Sequence, residues 1–137
     1  MQNLYTSRNM FSLRHTPALI VIFTTVFGGL WPMFDAKGAM LEFGFPLYLA
    51  ESPLTAPVMV HAESRTMILG LITALFYIRR QYAEVDTILA IWGGYAGIVD
   101  TYQVWTLGGE RGWAVFRLVS SWLISLSGIG GLMTSTL

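Results

Sequence analysis

The chain has 137 residues, of which 54% are hydrophobic, 14% aromatic and only 12% charged. A soluble domain carries about twice that charge, so the composition points to one membrane domain over 1–137. Eight basic and eight acidic residues cancel and no cysteine is present, which sets aside nucleic-acid binding, disulfides, thiol catalysis and Fe–S clusters.

Residues 1–16 are polar and basic, with Arg8, Arg14 and His15, and read as a tail or interfacial segment. Pro17 opens the first apolar run, PALIVIFTTVFGGLW, as proline suits a helix start. This run predicts a first span over 17–34. A cleaved secretory signal ending at Ala36-Lys37-Gly38 is the competing reading, but Pro32, Phe34 and Asp35 fit a retained anchor better.

Residues 35–62 form a long connection with Pro46, Pro53 and Pro57, so no single long helix fits there. Its aromatic and aliphatic content argues against disorder. The expectation is a luminal segment lying over one end of a bundle. A second span is predicted over 64–80, with Ser64 as N-cap and Arg79-Arg80 as its stop. The turn after it is short, which makes the third span, 84–106, an antiparallel neighbour of the second. Gly93-x-x-x-Gly97 in that span is a small-residue pattern that lets helices approach closely. A turn carrying Gly108-Gly109 leads to a fourth span over 112–133.

The fold expected is therefore all-α: a four-helix transmembrane bundle, up-down-up-down, in the lipid bilayer. Trp31, Trp105 and Trp113 lie near span ends, as an aromatic belt predicts. Arg8, Arg14, Arg79 and Arg80 fall on one side. The positive-inside rule then places both termini in the cytoplasm, across the endoplasmic reticulum membrane if the cell is eukaryotic.

Asp100 is the residue that asks for an explanation, because a carboxylate within a span costs a few kcal/mol unless it is paired or faces a polar cavity. It lies roughly 7 Å below Trp105, and Arg117 roughly 6 Å below Trp113, counting helical rise. An Asp100–Arg117 pair at matching depth would bury both charges economically. Glu63, Arg65 and His61 fall at the same end. Such a cluster either only holds helices together or lines a pocket for a small, largely apolar molecule. In the second case Asp100 or Glu63 would be the acid/base, Arg65 and Arg117 would stabilise negative charge, and His61 would be a reserve base. Asp86 is expected to cap its helix near Arg79 or Arg80. The two histidines lie far apart and no phosphate loop, dinucleotide fingerprint or Ser-His-Asp set occurs, so neither a metal nor an organic cofactor is expected.

Residues 63–132 show an ordered pattern. Glu63-Ser64-Arg65-Thr66 opens a span, Gly70 follows, Arg79-Arg80 makes a basic turn, Asp100 comes late in a Gly/Ala-rich span, and a Gly-rich end closes the chain. This resembles a family of small four-span membrane proteins of unknown function from bacteria and fungal biosynthetic gene clusters. The Arg65-Thr66 start also looks like the sterol-biosynthesis membrane scaffold family. Only Arg65 and Asp100 carry across. What the residues and the resemblance together imply is a membrane-embedded tailoring enzyme of secondary metabolism, an isomerase, cyclase or dehydratase acting on a lipophilic natural product. The alternative is a non-catalytic scaffold that gathers other membrane biosynthetic enzymes, using its glycine faces.

Overall fold

A computed structural model describes residues 12–135. The expected N-terminal tail, including Arg8, lies mostly outside them. Among the described residues the chain is helical, with no strand. Six helices follow one another: α1 Thr16–Leu30, α2 Ala36–Phe43, α3 Leu47–Ala50, α4 Thr55–Ile78, α5 Tyr82–Thr106 and α6 Arg111–Ile129. One-turn 3-10 segments flank α1 at Leu13–His15 and Trp31–Met33.

Three stretches are long and apolar enough to cross a membrane: Leu13–Met33, Thr55–Ile78 and Arg111–Ile129, with mean hydropathies of 1.5, 1.2 and 1.3. The remaining expected span, the third at 84–106, is α5, the longest helix at 25 residues. It carries Glu84, Asp86 and Asp100 and is not among the three stretches apolar enough to cross. Outward-facing Ile20, Phe23, Phe27, Ile68, Leu71, Leu123 and Leu126 are exposed, a surface that water would penalise and hydrocarbon would not.

α4 begins at Thr55, not at Ser64. Pro57 is the third residue of the helix, where the backbone N–H has no intrahelical acceptor in any case, so the proline costs no bond. Ser64 is mid-helix and donates to the His61 carbonyl at 2.8 Å, a local bond rather than a cap. The segment from 35 to 54 is a folded cap whose Ala39, Met40 and Ala50 share a core with Met59 of α4. Asp35 starts α2 by accepting from the Gly38 N–H at 2.8 Å. The Ala36-Lys37-Gly38 tripeptide is therefore helical rather than an extended cleavage site. Gly44 ends α2 at φ 98°, a left-handed turn that a side chain resists.

The long helices pack in antiparallel pairs. Gly29 of α1 meets Glu63 and Met67 of α4, and Gly70 of α4 meets Thr25 of α1. In the second pair Gly93 and Gly97 of α5 lie against Ser121, Trp122 and Ser125 of α6, and Gly128 against Asp86 and Ala90. Small residues let these backbones approach closely, as helices in lipid require. Ser125 Oγ donates across to the Ala90 carbonyl at 2.7 Å, and Thr101 Oγ1 to Ala114 at 3.1 Å. A second core, Ala18, Val21, Val85, Leu89 and Met133, joins the start of α1, the start of α5 and the C-terminal turn.

Candidate functional site

The cap sits at the end where α4 and α6 begin and α5 finishes. Tyr48 Oη donates to the Leu107 carbonyl at 3.1 Å, and the Glu110 N–H to the Gly44 carbonyl at 3.3 Å. Arg117 completes the attachment. Its Nε donates to the Phe43 carbonyl at 2.9 Å, its Nη2 makes a longer contact of 3.4 Å to the Glu42 carbonyl, and its guanidinium carbon lies 3.6 Å from the Phe43 ring centroid. The last carbonyls of a helix have no intrahelical donor. A cation that reaches them satisfies both the lone pairs and the helix dipole.

The expected direct Asp100–Arg117 ion pair is therefore not formed. Among the described residues the one ion pair is Lys37–Glu51 at 2.9 Å, on the surface of the cap. Arg117 nonetheless lies within Coulombic reach of Asp100, Glu63 and Glu42, and Glu63 within reach of Asp100. Glu63 from α4, Asp100 from α5 and Arg117 from α6 are all half-buried. Neither the Glu63 nor the Asp100 carboxylate has a hydrogen-bond partner among the described residues.

His61 and Arg65 stand apart from this group. Residues two apart on a helix point to opposite sides, and both flank Glu63 at that spacing. Glu63 turns inward, whereas His61 and Arg65 are exposed. The five expected site residues thus divide into an inner set of Glu63, Asp100 and Arg117 and an outer pair of His61 and Arg65. Two clefts stand out on the surface, and neither is lined by Asp100, Arg117 or Arg65. One, of about 750 Å³, has His61 and Ser64 in its wall. The other, of about 650 Å³, is lined by α1 with Leu71 and Ala74.

At the opposite end Asp86 is only 4% exposed. Its carboxylate accepts from the Met133 and Thr134 N–H groups, each at 3.1 Å, and from Thr134 Oγ1 at 3.0 Å. It therefore holds the C-terminal turn instead of pairing near Arg79 or Arg80. Two consecutive amides freed by the turn at Gly131, φ 61°, make the better pair of donors for a buried carboxylate. Arg14 adds a bond to the Ser135 carbonyl at 2.8 Å, and His15 lies edge-on to Tyr77 and Tyr82. Sequence reasoning missed this cluster. The signal available was a Gly-rich turn followed by hydroxyl residues after an apolar helix. Among the described residues no group of acids and histidines is arranged to hold a metal ion.

No curated protein and no solved structure shows a significant match to the chain. A family model does match, over residues 23–132, from the middle of α1 through α6 and into the turn that Asp86 holds. By that match the chain belongs to the family described as domain of unknown function DUF4267.

Proposed function

We propose that the protein is an integral membrane enzyme that moves a proton on a lipophilic small molecule. The observation that supports this reading is that Glu63 and Asp100 are half-buried carboxylates on two helices, both within electrostatic range of Arg117, and that neither makes a hydrogen bond among the described residues. A structural carboxylate within a membrane protein is normally bound on several sides, as Asp86 is. Two that are not are available for chemistry. In the reaction one carboxylate takes a C–H proton and the other, protonated, returns one at a different atom. The substrate is isomerised or cyclised, and atoms and charge balance with nothing else consumed. Arg117 is then a positioning residue, since it spends donors on the cap.

In this reading α5 is also a span, the third in chain order, completing an up-down-up-down arrangement, and Asp86 and Asp100 are at least partly buried in it. Arg14, Arg79 and Arg80 mark the cytoplasmic end. A substrate drawn from secondary metabolism follows the resemblance noted for residues 63–132. The rival scaffold reading relied on glycine faces to recruit partners, but Gly93 and Gly97 are occupied by α6, so a scaffold would need another surface.

The test compares lipophilic extracts of cells carrying the wild-type protein, a gene deletion, or the Asp100→Asn or Glu63→Gln variant at equal abundance. The expected result is a compound lost in the deletion and both variants, with an accumulating isomer of equal mass. A compound lost in the deletion but retained in both variants would favour a scaffold and remove the enzyme reading.

A further inference from the structure

The outer face of α5 runs at heptad spacing. Ile91, Tyr95, Ile98, Tyr102 and Trp105 recur at intervals of four, three, four and three residues, and each is more than half exposed. Tyr95 and Tyr102 take a positions and Ile91, Ile98 and Trp105 d positions, the pattern of a seam between two parallel helices. Other sides of the helix are already used, with Gly93 and Gly97 against α6 and Val85 and Leu89 in the core shared with α1. The stripe is thus the face that the fold of one chain leaves uncovered.

Tyr95 is the residue that lipid alone does not explain. At mid-helix the outward faces of α1, α4 and α6 present Phe23, Leu71 and Leu123. Hydroxyls near them are bonded within their own helix: Thr24 Oγ1 donates to the Ile20 carbonyl at 2.8 Å and Ser120 Oγ to the Phe116 carbonyl at 2.7 Å. A tyrosine hydroxyl stands too far from its own backbone for that. The hydrogen-bonded hydroxyls of α5 are those of Thr87, Thr101 and Thr106. Tyr95 is 71% exposed and its hydroxyl has no partner among the described residues. It is the fourteenth of 25 residues in α5 and lies roughly 17 Å from the nearer helix end, too deep for a phenol to reach the headgroups. A hydroxyl held in hydrocarbon without a partner is costly.

We infer that this face is a self-association surface, covered in the membrane by α5 of a second copy of the chain running parallel to it. Copies of one chain insert in one orientation, so a two-fold axis along the membrane normal sets Tyr95 opposite its own mate at the same depth. A hydroxyl both donates and accepts, so the pair is satisfied by identity. A foreign helix would have to bring a matching group to that depth. Polar a positions flanked by apolar d residues, here Ile91 and Ile98, also fix the register of such a seam. The inference rests on α5 crossing the membrane, as in the proposed four-span arrangement, and not on the proton chemistry.

The chain has no cysteine, so single introduced cysteines test this in sealed native membrane vesicles that hold two differently tagged copies. Oxidation is expected to join tag to tag in Ile98→Cys, and not in Leu123→Cys on the outward face of α6. Adding Tyr95→Phe to Ile98→Cys keeps the ring and removes the hydroxyl, and should lower the initial rate of joining about threefold or more, with helicity by circular dichroism unchanged. Gln81→Cys and Leu107→Cys test the premise, since a membrane-impermeant maleimide is expected to label them from opposite sides. Labelling of both from one side would remove the third span and the inference together. With opposite labelling, four results would overturn the inference and leave the span and the enzyme reading in place. These are no joined product, a product with a different protein, equal joining in Ile98→Cys and Leu123→Cys, or a rate unchanged by Tyr95→Phe. Should Ile98→Cys fail to fold, Ile91→Cys on the same seam replaces it.

Discussion

Arg117 and Phe43 are joined twice: the guanidinium donates to the Phe43 carbonyl at 2.9 Å and lies 3.6 Å from the centroid of its ring. One side chain of α6 thereby fixes the C-terminus of α2 and, with it, the cap above the inner carboxylates. Phe45 extends the contact by stacking on Phe43, with centroids 5.0 Å apart.

Removing this attachment has a defined cost. Arg117→Ala leaves the half-buried Phe43 carbonyl without a donor and strips the Phe43 ring of its cation, so a loss of about 2 kcal/mol is expected. Arg117→Lys keeps the charge but cannot both fork to two carbonyls and stack, and it should recover only part of that loss. Thermal unfolding in detergent reads the stability. Limited proteolysis reads the cap, with faster cleavage expected between residues 44 and 54 in the alanine variant.

Asp86 carries the other end of the molecule. Asp86→Ala leaves the Met133 and Thr134 amides without an acceptor, at a cost of about 3 kcal/mol. Asp86→Asn retains one acceptor oxygen and should cost about half as much. Hydrogen exchange localises the effect: the amides of 133 and 134 should lose protection in both variants, well before those of α6.

Glycines divide by what faces them. A Cβ at Gly97 would lie 2.9 Å from Ser121 Cβ and 3.0 Å from Trp122 Cδ1, so Gly97→Leu should force α5 and α6 apart and cost about 3 kcal/mol or more. A Cβ at Gly28 would meet nothing within 4 Å. Circular dichroism melts of Gly97→Leu and Gly28→Leu side by side check the contrast, the second being expected to melt within a few degrees of wild type. A Gly97→Leu protein as stable as wild type would show that α5 and α6 do not pack at this glycine.

Hydropathy and proline spacing were enough to read an all-helical membrane-type chain, because the apolar runs are long and their flanks are charged. The start of α4 was not legible. Pro57 looks like a break in sequence, but it falls in the first helical turn where a missing N–H is harmless. Nor was the partner of Arg117 legible. Sequence shows charges, not carbonyls, so a nearby aspartate seemed the natural mate until the end of α2 was seen to lie within reach. One division was readable in principle: His61, Glu63 and Arg65 alternate at a spacing of two, which on a helix separates the outer ones from the middle one. Asp86 was misassigned for a related reason, since its partners are backbone amides 47 and 48 residues away.

The central claim is that Glu63 and Asp100, from different helices, act on one another beside Arg117. A double-mutant cycle measures this directly, with unfolding free energies of wild type, Glu63→Gln, Asp100→Asn and the double variant in one detergent. Groups in one electrostatic cluster depart from additivity by about 0.5 kcal/mol or more, and a departure of that size is the predicted result. Free energies that add within about 0.3 kcal/mol would place the two carboxylates in separate environments and contradict the account.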